Sequence, residues 1–481
     1  MSASVPATET SILEGRQLAD LHEEIRQIYL ANRMPWVVGF SGGKDSSTVL
    51  QLLWYALREL PREKLNKPIY VISTDTLVET PVIVEHVNRH LGLIGKAARE
   101  QGLPIEVHRL TPEVNDTFWV NLIGRGYPAP HTRFRWCTER MKIKPADKFI
   151  VNKVAEHGDV ILVLGQRRDE SRVRAELMDK YAITGSRLSM HSTLPRSYVY
   201  TPIGDFTTNE VWTYLLQVPS PWDGDNRQLA SLYRSAQSGE CPLVVDLSTP
   251  SCGNTRFGCW VCTVVSKDRS MGAMIDNGEE WMQPMLDLRD FLADTQDPER
   301  KADVRDYKRR DGQIKVRKKQ RSLIRGPYTF EFRQEILTRL LQAEEQVRRE
   351  GPHPDLSLIS DEELFEIRHL WRVEQQDWQD SLPHIYRRVT NRELPWPVDD
   401  AVTFGLDEQA ILAQVCAEEE VPTKLIMALI ESQRQQNTLQ SRAAVHARIG
   451  DIMRSEWRSE EEVLQAVQEF QENVAHLAVS E

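Results

Sequence analysis

From Trp36 onward, short apolar runs alternate with amphipathic stretches: "WVVGF" then "SSTVLQLLWYAL", "IYVIST" then "TPVIVEHVNRHLG", followed by "IEVHRL" and "DVILVLG". Continuous apolar runs suit strands buried on both faces, and the helical periodicity between them suits helices that cover those faces. The pattern predicts an α/β fold, a parallel sheet with helices on both faces. Ahead of it, Leu18, Leu21, Ile25, Ile28 and Tyr29 recur at helical spacing, predicting an amphipathic helix within residues 15 to 33 that packs on this domain. Beyond about residue 330 the strand signal stops. "TFEFRQEILTRLLQAEEQVRRE" reads as a helix stopped by Gly351-Pro352, and Ser360-x-x-Glu363 and Ser459-x-x-Glu462 read as capping boxes opening further helices. The C-terminal region is therefore predicted to be mainly α.

A chain of 481 residues exceeds what one core usually fills, roughly 250–300 residues, so more than one domain is expected. With 40% apolar and 27% charged residues the composition is that of a soluble globular protein, and apolar runs such as "VILVL" fall short of a membrane span. The first residues lack a basic segment followed by an apolar one, which predicts a cytoplasmic protein without a secretory signal. The net charge of −11 speaks against a uniformly basic nucleic-acid binder. The charge is uneven, however: Lys301 to Arg325 holds eleven Lys/Arg against three Asp/Glu. Lysines and arginines that neutralise phosphates release counterions, so this run suits a polyanion, with a solvated helix face as the plain alternative. Tyr307 and Tyr328 flank the run without a repeated stacking pattern.

The stretch "VVGFSGGKDSST" places Ser41-Gly42-Gly43-Lys44-Asp45-Ser46 between a buried strand and a helix. Backbone N–H groups can converge on one anion there, and the helix N-terminus favours negative charge. The G-x-x-x-x-G-K-[ST] phosphate loop is not met, because three residues separate Gly39 from Gly43 and Asp45 follows the lysine. Ser41 to Ser46 instead resembles the pyrophosphate loop of the N-type ATP pyrophosphatases, which cleave ATP between its α and β phosphates. That resemblance implies an adenine nucleotide alpha-hydrolase-like sheet. Ser41, Gly42, Gly43, Lys44, Asp45 and Ser46 would bind ATP, Lys44 would hold the departing pyrophosphate, and Asp45 would help hold Mg²⁺.

"STDTLVETP", "RWCTERMKIKP", "LGQRRDESRVR" and "YTPIGDFTTNEVWTYLL" follow in the order seen in adenylylsulfate and phosphoadenylylsulfate reductases and are similar to their nucleotide-side segments. On that resemblance Asp75, Arg167 and Arg168 join the nucleotide site, while Arg172 and Arg174 also suit an exposed helix start.

Six cysteines are present, four of them, Cys241, Cys252, Cys259 and Cys262, at spacing C-x10-C-x6-C-x2-C. In a reducing compartment such a cluster points to a metal, and four thiolates fit either tetrahedral zinc or a [4Fe–4S] cluster. "GCWVCT" is similar to the cluster-binding Cys-x-x-Cys of the reductases, and Cys137 stands where they carry a Cys-Cys pair. The resemblance favours iron–sulfur and implies Cys137, Cys252, Cys259 and Cys262 as ligands, with Cys241 carrying a persulfide. Exchange of roles between Cys241 and Cys252, or Cys241 and Cys137, stays open. Cys416 reads as core, and His131 and the other histidines take structural or surface roles.

The thioredoxin-linked reductases rely on a Glu-Cys-Gly-Leu-His motif that this sequence lacks. With the Lys44-Asp45 pair present, an ATP-consuming sulfurtransferase is expected. The loop, the cysteine array and the helical tail resemble the DndC family, sulfurtransferases of the bacterial DNA phosphorothioation system. That resemblance implies adenylation of a DNA phosphate followed by replacement of a non-bridging oxygen by sulfur. Its implied partners are DNA, a cysteine desulfurase as sulfur donor, and further phosphorothioation subunits, an ATPase and a small DNA-binding protein. A tRNA-thiolating enzyme, a sulfonucleotide reductase and a non-catalytic nucleotide-binding scaffold are the alternatives. The expected organisation is an N-terminal helix (1–33), the ATP pyrophosphatase domain with its cysteine array (34–265), a basic segment as candidate nucleic-acid contact (266–330) and a helical partner-docking region (331–481).

Overall fold

The computed structural model describes residues 17–235, 258–317, 322–396, 404–436 and 442–479. They form two compact units, one built from residues up to Phe118 together with Pro130–Asp290, the other from Trp119–Ala129 together with the chain from Phe291 onward.

The first unit runs α1 (Leu18–Leu30), β1 (Trp36–Gly39), α2 (Lys44–Arg58), β2 (Ile69–Thr74), α3 (Pro81–Gln101), β3 (Ile105–Leu110), the short turn α4 (Trp136–Thr138), α5 (Lys144–His157), β4 (Val160–Val163), α6 (Arg172–Lys180), β5 (Leu188–Met190), β6 (Ser197–Tyr200), α7 (Thr208–Gln217), α8 (Asn226–Ser235), α9 (Arg269–Asp276) and most of α10 (Gln283–Asp294). The six strands form one sheet in the order β3-β2-β1-β4-β6-β5, parallel throughout except for β5 against β6. This is the α/β architecture expected from the apolar alternation. Central β1 and β4 are buried almost throughout, and α2 is buried from Ser46 to Leu57, because each is covered on more than one side.

From β1 the chain winds outward to β2 and β3, then returns to lay β4 on the other side of β1. Loops leaving the carboxyl ends of β1 and β4 therefore diverge, and such a switch point is where open α/β sheets hold ligands. Strands β5 and β6 had no separate signal in the apolar alternation; β5 is three residues long, too short to show a period.

The second unit contains α11 (Lys301–Val304), the hairpin β7 (Val316–Arg317) and β8 (Ser322–Leu323), and helices α12 (Phe330–Glu350), α13 (Asp361–Glu374), α14 (Ser381–Thr390), α15 (Leu406–Glu418), α16 (Thr423–Gln436), α17 (Arg442–Arg454) and α18 (Glu460–Val479). Among the described residues no strand follows Leu323. The stop at Gly351 is present, as are the reciprocal capping bonds of Ser360 with Glu363 and of Ser459 with Glu462. Cys416 is buried in α15.

Much of the basic run from Lys301 to Arg325 serves this unit's own fold. Arg305 donates to the carbonyls of Arg325 and Gly326, Arg309 donates to the Arg325 carbonyl, and Arg310 pairs with Glu374 and donates to the Tyr127 hydroxyl. Arg325 pairs with Glu460, and the Lys308 ammonium lies 5.2 Å from the ring centroids of both Tyr307 and Trp457. Lys315 and Arg317 are exposed. Lys318, Lys319 and Arg321 lie outside the described residues. No helix among the described residues is long and apolar enough to cross a membrane.

Candidate functional site

The loop after β1 is built around its glycines. Gly42 has φ +71°, where a Cβ would meet Val87 Cγ2 at 2.8 Å, so the turn requires glycine. Ser46, at the start of α2, folds the loop on itself: its hydroxyl donates to the Gly43 carbonyl at 3.1 Å and accepts from Ser41 N at 3.2 Å. His86 Nε2 lies 3.3 Å from the Gly42 carbonyl oxygen, holding that oxygen toward α3. The Lys44 amide donates to the Tyr233 hydroxyl at 3.3 Å, so this N–H points out of the loop, where an anion would meet it.

Asp45 is the hub of the loop. One carboxylate oxygen is 2.6 Å from Lys44 Nζ and the other 2.7 Å from Arg167 Nε. Burial pushes this carboxyl up, but Lys44 and Arg167 outweigh it and leave it below the usual range. Arg167, only 2% exposed, comes from the loop after β4 and also reaches Asp169 and the Phe206 carbonyl. The same two loops touch at Gly165, where a Cβ would fall 2.9 Å from the Asp45 carbonyl carbon. With both oxygens engaged by cations, Asp45 would serve Mg²⁺ only if one pair opened. Arg168 is placed differently: its guanidinium pairs with Asp179 and Asp205 at the surface. Arg172 is an exposed partner of Glu176.

Asp75 lies at the carboxyl end of β2, beside β1. It pairs with Arg109, and its Oδ1 accepts from Leu77 N at 2.8 Å, which fixes Leu77 at φ 63°. The next residue, Thr76, turns to the cysteines, with its hydroxyl 3.3 Å from Cys259 Sγ. Trp260 N donates to the Val78 carbonyl at 2.9 Å, and Glu79 bridges to Cys259.

Cys137, Cys259 and Cys262 line one cavity of about 320 Å³, walled partly by Phe118, Met141 and Met271. Burial pushes the Cys259 thiol up to about 11 and raises Cys137, which Cys262 raises further. Deprotonated by a metal, such thiols supply the donor chemistry that a cluster or zinc needs. Among the described residues, however, no group of three or more His, Cys, Asp or Glu stands close enough to hold a metal ion, so these three thiols alone do not close a coordination shell. Cys241 and Cys252, the expected persulfide carrier and fourth ligand, lie outside the described residues.

Four contributing residues carried no assigned site role in the sequence. His86 and His90 pack against each other at a tilt on α3, with ring centroids 4.4 Å apart; their four-residue spacing on one helix face was the available signal. Arg109 carried no signal beyond its charge. Arg289, on α10, is fully buried and donates to the carbonyls of Cys262, Val265 and Ser266, clamping the chain that leaves the Cys-x-x-Cys turn.

Residues 35–265 match the family model described as "Phosphoadenosine phosphosulfate reductase domain". That segment, just under half of the chain, is thus similar to a phosphoadenosine phosphosulfate reductase domain. An uncharacterized protein of Methanocaldococcus jannaschii is 32% identical over 202 residues, or 41% of this chain and 35% of that relative, so the match spans about a third of the relative's length. Among solved structures, Candida glabrata FMN adenylyltransferase in complex with FMN and an ATP analogue is 14% identical, with a TM-score of 0.27 over 44% of this chain and 60% of that one. The U34-tRNA thiolase NcsA from Methanococcus maripaludis, with its [4Fe–4S] cluster, is 13% identical, with a TM-score of 0.26 over 49% of this chain and 80% of that one. Arg289 lies beyond the matched segment of the reductase-like domain yet within the same compact unit.

Gly165→Ala is expected to push the Asp45–Ser46 backbone away, costing about 1–3 kcal/mol and weakening ATP binding; titration calorimetry and thermal melting check both. Arg289→Ala orphans several buried carbonyls and should destabilise the first unit by about 3 kcal/mol, measured by urea unfolding. Burial lowers His90 from 6.5 to about 4, with His86 and Arg89 adding to the effect. The unfolded chain therefore takes up the proton first, and the stability of neutral His90, whole above about pH 6.5, is lost as pH falls toward 4. Melting curves across that window should fall less steeply for His90→Gln.

Proposed function

We propose that this chain is an ATP-dependent sulfurtransferase of the DndC kind, which adenylates a DNA backbone phosphate and replaces a non-bridging oxygen by sulfur. The observation that carries the reading is the link along β2: this strand pairs with β1, which opens into the candidate nucleotide loop, and Thr76, just past the end of β2, meets Cys259. An enzyme that activates a group with ATP and then delivers sulfur to it needs these centres within reach of one substrate. The match to the reductase domain and the spacing of the four clustered cysteines support the same reading.

In this mechanism the loop amides and Lys44 hold the β- and γ-phosphates as a leaving group, and Arg167 keeps Asp45 and Lys44 in place. A non-bridging DNA phosphate oxygen attacks the α-phosphorus of ATP; the new P–O bond forms as the bond to pyrophosphate breaks. Sulfur brought by a cysteine desulfurase as a persulfide, received by Cys241, attacks the DNA phosphorus and expels AMP. A second thiol then cleaves the S–S bond, leaving the phosphorothioate and a disulfide. Cys137, Cys252, Cys259 and Cys262 would hold a [4Fe–4S] cluster, which when bound supplies electrons or an iron site for sulfur. The ATPase and the small DNA-binding protein would select and present the DNA.

Lys44→Ala should lower AMP and pyrophosphate formation by about a hundredfold or more and abolish phosphorothioate dinucleotides in nuclease-digested DNA, read by mass spectrometry. Turnover of ATP to ADP and orthophosphate without AMP would refute the reading, as would thiolated tRNA beside unmodified DNA.

A further inference from the structure

A short turn beside the thiol cavity has the chemistry of a nucleic-acid contact. His131 and Phe134 close it through two backbone hydrogen bonds, of 3.3 and 2.8 Å. Its root is anchored twice. Thr263, next to Cys262, donates to the Pro130 carbonyl at 2.6 Å, and buried Trp136 stacks on Phe118 with centroids 5.4 Å apart. Between these anchors Thr132, Arg133, Phe134 and Arg135 are all exposed, Phe134 by 40%. Its ring lies 6.1 Å from that of His131 at a tilt, and an arginine stands on each side of it in the sequence. Arg135 lines the cavity as well, and Cys137 follows two residues later.

We propose that this turn is where the chain grips DNA: Arg133 and Arg135 contact backbone phosphates on either side of the target, and Phe134 stacks on a base, which sets the intervening phosphate at the mouth of the thiol cavity. The inference rests on the DNA reading above and moves the contact away from the Lys301–Arg325 run, where five basic side chains are tied into the second unit. Guanidinium forks suit phosphate oxygens, and stacking on an aromatic ring tolerates any base.

The test is anisotropy of fluorescently labelled single-stranded and duplex DNA, and of labelled tRNA, against the full-length chain over a range of salt concentrations. Arg133→Ala should weaken DNA binding and reduce the slope of log K against log salt by about 1, while Arg133→Lys keeps the slope. Phe134→Ala should weaken single-strand binding about fivefold or more with the slope unchanged. A Lys315→Ala/Arg317→Ala double variant should bind as the unaltered chain does. Unchanged binding by both turn variants, with loss in the double variant, would overturn the turn as the contact and leave the DNA reading standing. Binding of tRNA without DNA by the unaltered chain would overturn both.

Discussion

Asp45 between Lys44 and Arg167 is the contact on which the rest of the candidate nucleotide site depends. This partly buried carboxylate is held by two cations, and those cations come from different places, one from the start of α2 and one from the loop after β4. The ion triad therefore ties together the two loops that diverge at the switch point of the sheet. Gly165 allows the approach by offering no side chain where the Asp45 backbone passes. Loop shape, lysine position and sheet topology are thus one constraint.

The cysteine side is held by similar means but from farther along the chain. Arg289 gathers carbonyls that follow Cys262, and Thr263 fastens the same stretch to Pro130. Both contacts use buried donors on backbone acceptors, which position a loop without occupying its thiols. The first unit accordingly extends past the segment that resembles the reductases, and α10 belongs to it structurally as far as Asp290.

The sheet was legible because fully buried strands leave unbroken apolar runs, and the loop because few residues other than glycine permit the turn at Gly42. Capping boxes at Ser360 and Ser459 were legible for a related reason: the bonds they make are local. Contacts over long sequence separation left no such mark. Nothing near Arg289 in the chain announces that it will meet Cys262, and a count of charges between Lys301 and Arg325 could not reveal that Arg305 and Arg309 would turn inward to carbonyls. Arg167 and Arg168 show the limit well: adjacent, identical in chemistry and drawn from one motif, they part because Arg167 is extended whereas Arg168 opens a short 3-10 turn. One reaches Asp45 while the other faces solvent.

A similar divergence marks the turn after β2, where Asp75 pairs with Arg109 and Thr76 reaches Cys259. Asp75 and Thr76 face different centres only while they remain consecutive, and Asp75 pins the following residue through its bond to Leu77 N. An insertion or deletion of one residue here would swap which side chain meets which partner, so this corner can tolerate exchange of side chains but not a change of length.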